Sequence, residues 1–156
     1  MAEGAGRRTV IRGMASSRSY RLLQLSLVAF GAVMILLYPL AVVWPSGWAW
    51  HPGAPYQSDY FMMIVGLYAT LGLFLLNAAR RPEANISLIW FAVGSSVVHA
   101  AIMAVQSFGG HHNMGHLWGD VPALLLVAIV LSVLMRTSGL MRARSTRDPL
   151  AGVFAE

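Results

Sequence analysis

Residues 86–108 read ISLIWFAVGSSVVHAAIMAVQSF. The stretch contains no Asp, Glu, Lys or Arg. As a helix rising about 1.5 Å per residue it spans the roughly 30 Å hydrocarbon core of a bilayer. A helix on the surface of a soluble domain carries a charged face opposite its apolar stripe. Here no face is charged, so the stretch predicts a membrane-crossing helix.

Three further runs have the same character, and together the four predicted spans fall at about 22–44, 61–79, 86–108 and 117–136. The last is built on VPALLLVAIVLSVLM at 121–135 and reaches a spanning length by starting at Leu117. The whole chain of 156 residues is 57% hydrophobic and 11% charged, against about 25% charged in a soluble domain. The expected fold class is all-α integral membrane: an antiparallel four-helix transmembrane bundle over 21–137. An Arg-rich flexible arm, 1–20, precedes it and a flexible tail, 138–156, follows.

Basic residues set the orientation. All eleven are Arg, and they fall in three groups: the arm, the turn at Arg80 and Arg81, and the segment from Arg136 onward. The other two connections, 45–59 and 109–120, have none. The positive-inside rule then puts both termini and the 80–85 turn on the cytoplasmic side, with the first and third connections outside. Trp44, Trp48, Trp50, Tyr56, Tyr60 and Trp118 cluster towards that outer side, as interfacial aromatics do. Flanking positions of this kind argue for a lipid bilayer as the partner and against nucleic acid. With no cysteine in the chain, disulfides, thiolate metal sites and thiol catalysis are excluded.

Near the start, GRRTVIR begins like a twin-arginine signal, but the apolar run starts too far downstream, and a retained first helix is expected. Met14 is a second candidate start. Asn85 opens a glycosylation sequon on the cytoplasmic side and is better read as a helix cap.

Helices in lipid associate through close backbone approach. The third span has small residues at four-residue intervals, Ala92, Ser96, Ala100 and Ala104, and the second offers Gly66 and Thr70. These two spans are expected to form the tight pair. Pro39 is expected to kink the first.

A second stripe on the third span is polar. Ser95, His99 and Gln106 lie within about 40° of one another around the helix. His99 is about 19 Å from the cytoplasmic end of its span and Asp120 about 24 Å up the fourth, so the two come to similar depth. Asp120 is placed either to pair with His99 or to cap the fourth helix. His116 would extend the column outward.

Residues 111–120, HHNMGHLWGD, raise the question of a metal. A ligand set drawn from His99, His112, Met114, His116 and Asp120 would suit copper or zinc, with Met114 favouring copper. The spacing matches no established ligand motif.

The segments WPSGWAW, MIVGLYATLGLFLLNAARRP, SLIWFAVGSSVVHAAIMAVQ and GHLWGDVPALLLVA together resemble a family of small bacterial multi-pass membrane proteins that carries a domain-of-unknown-function label. The likeness covers roughly 38–137. It implies that the recurring polar positions are His99, Gln106, His116, Asp120 and Pro122, and that His111, His112, the arm and the tail are peculiar to this chain. It supplies no activity.

No nucleophile elbow, Walker loop, zinc-protease motif or dinucleotide fingerprint occurs. The leading expectation is a non-enzymatic membrane protein whose polar pocket, built from Ser95, His99, Gln106, His116 and Asp120, opens to the outer face. It would bind a small ligand, a lipid or a partner subunit. A copper- or zinc-binding accessory protein is the second reading. A small proton-coupled transporter working as a dimer is the third, and a homo-oligomer or a membrane partner subunit is the expected protein partner.

Overall fold

The structure is a computed structural model that describes residues 2–44, 54–108 and 117–140, with side chains from Ser17 onward. Among these residues there is no strand. Five helices follow one another: α1 (Ala2–Ile35), α2 (Leu37–Val43), α3 (Asp59–Arg80), α4 (Ile86–Ser107) and α5 (Asp120–Thr137). Short 3₁₀ turns at Pro55–Gln57 and Pro82–Ala84 precede α3 and α4. By length and composition α3, α4 and α5 can each cross a membrane, and α1 with α2 makes a fourth candidate that is bent by 55°.

That bend has a local cause. The ring of Pro39 removes a backbone donor and crowds the carbonyl four residues back, that of Ile35. The α1 helix ends at Ile35, Leu36 is a turn, and α2 begins at Leu37. At its other end α1 runs back to Ala2, so the helix includes most of the Arg-rich 1–20 stretch. Nothing in residues 2–35 is a proline.

Caps define the remaining boundaries. Ser58 opens α3, its Oγ accepting from the Phe61 N–H at 3.2 Å, and Asp59 in the first turn complements the helix dipole. Asn85 sits at the N-cap position of α4, but its side chain turns the other way: Nδ2 donates to the Arg81 carbonyl at 3.0 Å.

The α1 and α3 helices run antiparallel along one seam. The Tyr20 hydroxyl donates to Glu83 at 2.7 Å, and the Gln24 amide donates to the Ala79 carbonyl at 2.8 Å. Farther along, Gly31 meets Gly72. Positions 20, 24 and 31 thus face 83, 79 and 72, the same steps of four and seven residues on both sides. At the glycine pair the backbones touch: a Cβ on Gly72 would stand 2.6 Å from the Gly31 carbonyl oxygen and 2.9 Å from Ile35 Cγ1.

This arrangement corrects the expected pairing of the second and third spans. The most extensive contacts are α1 with α3 and α4 with α5; α1 also meets α5, while α3 and α4 touch little. Gly66 has open space where a side chain would go, and Thr70 is exposed, its hydroxyl bonded back to the Gly66 carbonyl at 2.9 Å. On α4 the small ridge is a packing face, but one whose helix packs chiefly on α5: Ala92, Ser96 and Ala100 are buried and Ala104 is half-buried. An all-apolar helix has no preferred face to announce its neighbour, and the glycines that do decide lie on α1 and α3.

The main core joins all four long helices near the 80–85 turn. Leu23 and Leu27 of α1, Leu75 of α3, Ile89 of α4, and Leu131 and Met135 of α5 are fully buried there. The main core therefore lies at the end that carries Arg80 and Arg81.

The glycine contact gives a direct test. Gly72→Ala forces backbone apart from backbone and is expected to destabilise by about 1–3 kcal/mol, the usual range for overpacking. Gly66→Ala, pointing into open space, should stay within about 0.5 kcal/mol of the parent. Thermal midpoints of the two variants in one detergent distinguish them; equal midpoints would mean that the seam is not tight.

Candidate functional site

One turn beyond the glycine seam, the gap between α3 and α4 is bridged by side chains instead of backbone. Tyr68 stands near the middle of α3 and His99 near the middle of α4, at matching distances from the turn that joins them. The Tyr68 hydroxyl and His99 Nδ1 are hydrogen-bonded at 2.8 Å, the tautomer of the ring deciding which donates. The two rings are tilted by 31° with centroids 5.9 Å apart. Both residues are half-buried.

Two cavities border this pair. The first, about 120 Å³, lies between α3 and α4; Leu67, Ser95 and Phe91 line it together with Ser96. The second, about 130 Å³, is bounded by Val33 and Leu37 on the first span and by Asp120, Ala123 and Val127 on α5. Met34, Tyr68, His99 and Leu124 belong to the walls of both. The Tyr68–His99 bond thus stands where the two spaces adjoin. Asp120 is near enough to act electrostatically on Tyr68.

The residues that the sequence nominates are partly brought together. His99 and Asp120 line one cavity, and His99 and Ser95 the other. Ser95 donates its hydroxyl to the Ala92 carbonyl at 3.2 Å, which leaves the oxygen's lone pairs for an incoming donor. Ser96, nominated for packing, is both buried and part of the first cavity's wall. Gln106 is exposed farther along α4 and lines neither cavity. His112, Met114 and His116 lie outside the described residues. Among the described residues no group of three His, Cys, Asp or Glu side chains could hold a metal ion. As for capping, the N-cap position of α5 is Gly119, and Asp120 is the first helical residue, where its charge suits the helix dipole.

Tyr68 is the residue that sequence reasoning misses. Its signal is present: a hydroxyl-bearing ring halfway along a run with no charged residue, at nearly the same distance from the turn as His99. Two polar groups at equal depth on helices joined by a short turn are natural partners, because each satisfies the other away from water.

A family model matches residues 17–152, which takes in every element that builds the site. The chain belongs to DUF6632, a family of unknown function. Neither the curated proteins nor the solved structures contain a match. Membership of DUF6632 therefore fixes kinship for nearly all of the chain and leaves chemistry to be argued from the site.

The Tyr68–His99 bond is open to a double-mutant cycle. Interhelical hydrogen bonds in membrane proteins couple by about 0.6 kcal/mol on average and about 1.7 at most. Combining Tyr68→Phe with His99→Leu should give a coupling within that range from the thermal stabilities of the four proteins. Strict additivity would show that the two side chains do not act on each other.

Proposed function

We propose that this DUF6632 protein is a bacterial inner-membrane four-helix bundle that binds a small amphipathic molecule in the polar pocket around Tyr68, His99 and Asp120. The observation that carries this reading is the placement of one hydrogen-bonded Tyr–His pair in the walls of two adjoining cavities. Polar and ionisable groups inside a membrane are costly, and by default they mark a functional site. A pair needed only to hold two helices together would serve as well with close-packed neighbours.

The rest of the reading follows from the charges. With Arg80, Arg81 and Arg136 on the cytoplasmic side, both termini are cytoplasmic and the 111–120 loop faces outward. Asp120 then lies towards the outer end of the bundle, and the pocket sits in its outer half, away from the main core. Binding rather than catalysis is favoured by the lack of any nucleophile or cofactor motif.

Topology is testable because the chain has no cysteine of its own. With single cysteines replacing Glu83 or His112, a membrane-impermeant thiol reagent should label position 112 in intact cells and position 83 only after the membrane is opened. Labelling of both from one side would overturn the orientation.

For the binding reading, the full chain purified in mild detergent is expected to carry an extractable small molecule. Mass spectrometry of solvent extracts should find it in the parent and depleted in a His99→Leu variant. The same extractable species, in the same amount, from both proteins would place it on the outer surface instead.

A further inference from the structure

The walls of the two cavities say what kind of molecule fits. Leu67 and Phe91 line the first cavity and are also 67% and 63% exposed, so its mouth opens on the lateral surface between α3 and α4. Val33, 46% exposed, and the exposed Ala123 do the same for the second cavity between α1 and α5. Both mouths are bordered by apolar side chains on the helix flanks, the surfaces that face hydrocarbon if these helices cross a bilayer. A ligand reaching such a mouth comes from the lipid phase.

Size narrows the class. Each cavity, at about 120 and 130 Å³, is on the scale of the roughly 150 Å³ apolar cavity known to accept benzene. Such a space holds one six-membered ring or a short stretch of alkyl chain, not a phospholipid headgroup. The polar groups are the Tyr68 phenol and the His99 imidazole, in the walls of both cavities, and the Ser95 and Ser96 hydroxyls of the first, all of which exchange hydrogen bonds with oxygen atoms. Asp120 is the one acid in the second cavity, and as the first residue of α5 its charge is met by the N-terminal end of that helix's dipole. The pocket therefore requires no charge from its occupant.

We infer that the pocket takes a neutral, membrane-dissolved molecule with an oxygen-bearing six-membered ring and an apolar tail, the chemistry of quinones and quinols. The ring occupies one cavity beside Tyr68 and His99, and the tail leaves through a lateral mouth. This rests on the binding function proposed above and adds the ligand class and the route of entry. It is a binding proposal, with no electron transfer assigned to the protein.

The test uses the full chain in detergent and three probes of equal tail length: a decyl-substituted benzoquinone, decanol and decyltrimethylammonium. Equilibrium titration, followed by quenching of tryptophan fluorescence for the quinone and by thermal shift for all three, gives the affinities. The quinone is expected to bind saturably and more tightly than decanol. Tyr68→Phe should weaken it about tenfold, equivalent to about 1.4 kcal/mol. Leu67→Trp alters only an exposed lip residue, which keeps the fold intact. It should weaken the quinone as well if the first mouth is the entrance, while Gly66→Ala leaves affinity unchanged.

Quinone affinity that is indifferent to both Tyr68→Phe and Leu67→Trp would overturn the proposal as simple partitioning. Tighter, Tyr68-dependent binding of decyltrimethylammonium would overturn the neutral-ring class while leaving the pocket a binding site. If no probe saturates, and no molecule can be extracted from the parent protein, the binding function fails with it.

Discussion

The contact of Gly31 with Gly72 governs the arrangement of the helices. Two helix backbones touch only where neither carries a side chain, and here a Cβ on either glycine would meet the other's carbonyl oxygen at 2.8 or 2.6 Å. With α3 held against α1 at this point, and α4 lying chiefly on α5, little backbone contact remains for α3 with α4. The space between those two helices is then filled by long side chains, Tyr68 and His99 among them. The site is a consequence of where the tight contact is made. Had the seam run between α3 and α4, the same polar residues would have been pressed against backbone, with no cavity beside them.

Pro39 contributes the second constraint. By ending α1 at Ile35 it turns α2 through 55° just past the glycine contact. Leu37, at the start of α2, becomes part of the second cavity's wall. Below the bend α1 supplies Leu23 and Leu27 to the dense core; at and above it the first span lines open space with Val33, Met34 and Leu37. One span therefore serves two ends of the protein that are packed differently, and the change coincides with the break in its hydrogen-bond ladder.

What the sequence disclosed and what it hid divide along a single physical line. Position along a helix axis is readable, since each residue adds a fixed rise. The spans, the kink from Pro39, and the matching depth of His99 and Asp120 all follow from counting. Rotation about the axis is not readable in an apolar helix, because lipid and protein interior ask for the same side chains. Hence spacing discloses the Ala92–Ser96–Ala100 ridge but not its partner helix, and on the second span it points to Gly66 and Thr70 although the close contact is made at Gly72. Tyr68 falls between these cases. Its depth beside His99 was countable, but the azimuth that makes the two meet depends on the spacing set elsewhere by the glycines. Asn85 shows the limit at smaller scale: a residue at the N-cap position has a choice of backbone partners, and here it takes the Arg81 carbonyl over the open amides of α4.

The uneven packing bears on why such a site persists. An unfilled cavity in a protein interior costs roughly 24 cal/mol per Å³, so a void the size of either one here would cost on the order of 3 kcal/mol. Leucine or phenylalanine in place of Ser95 or Ser96 would remove much of that cost and would suit a membrane helix at least as well. Serines, a tyrosine and a histidine around a partly open space are the opposite choice. They keep hydrogen-bonding groups at the walls and leave the volume to be occupied by something that is not part of the chain. In a bilayer, acyl chains can occupy any lateral crevice, yet they offer no hydrogen bond to polar walls. Under the binding function proposed above, an occupant that fills the volume and also bonds with the polar walls would stabilise the fold more than lipid alone, linking occupancy to stability.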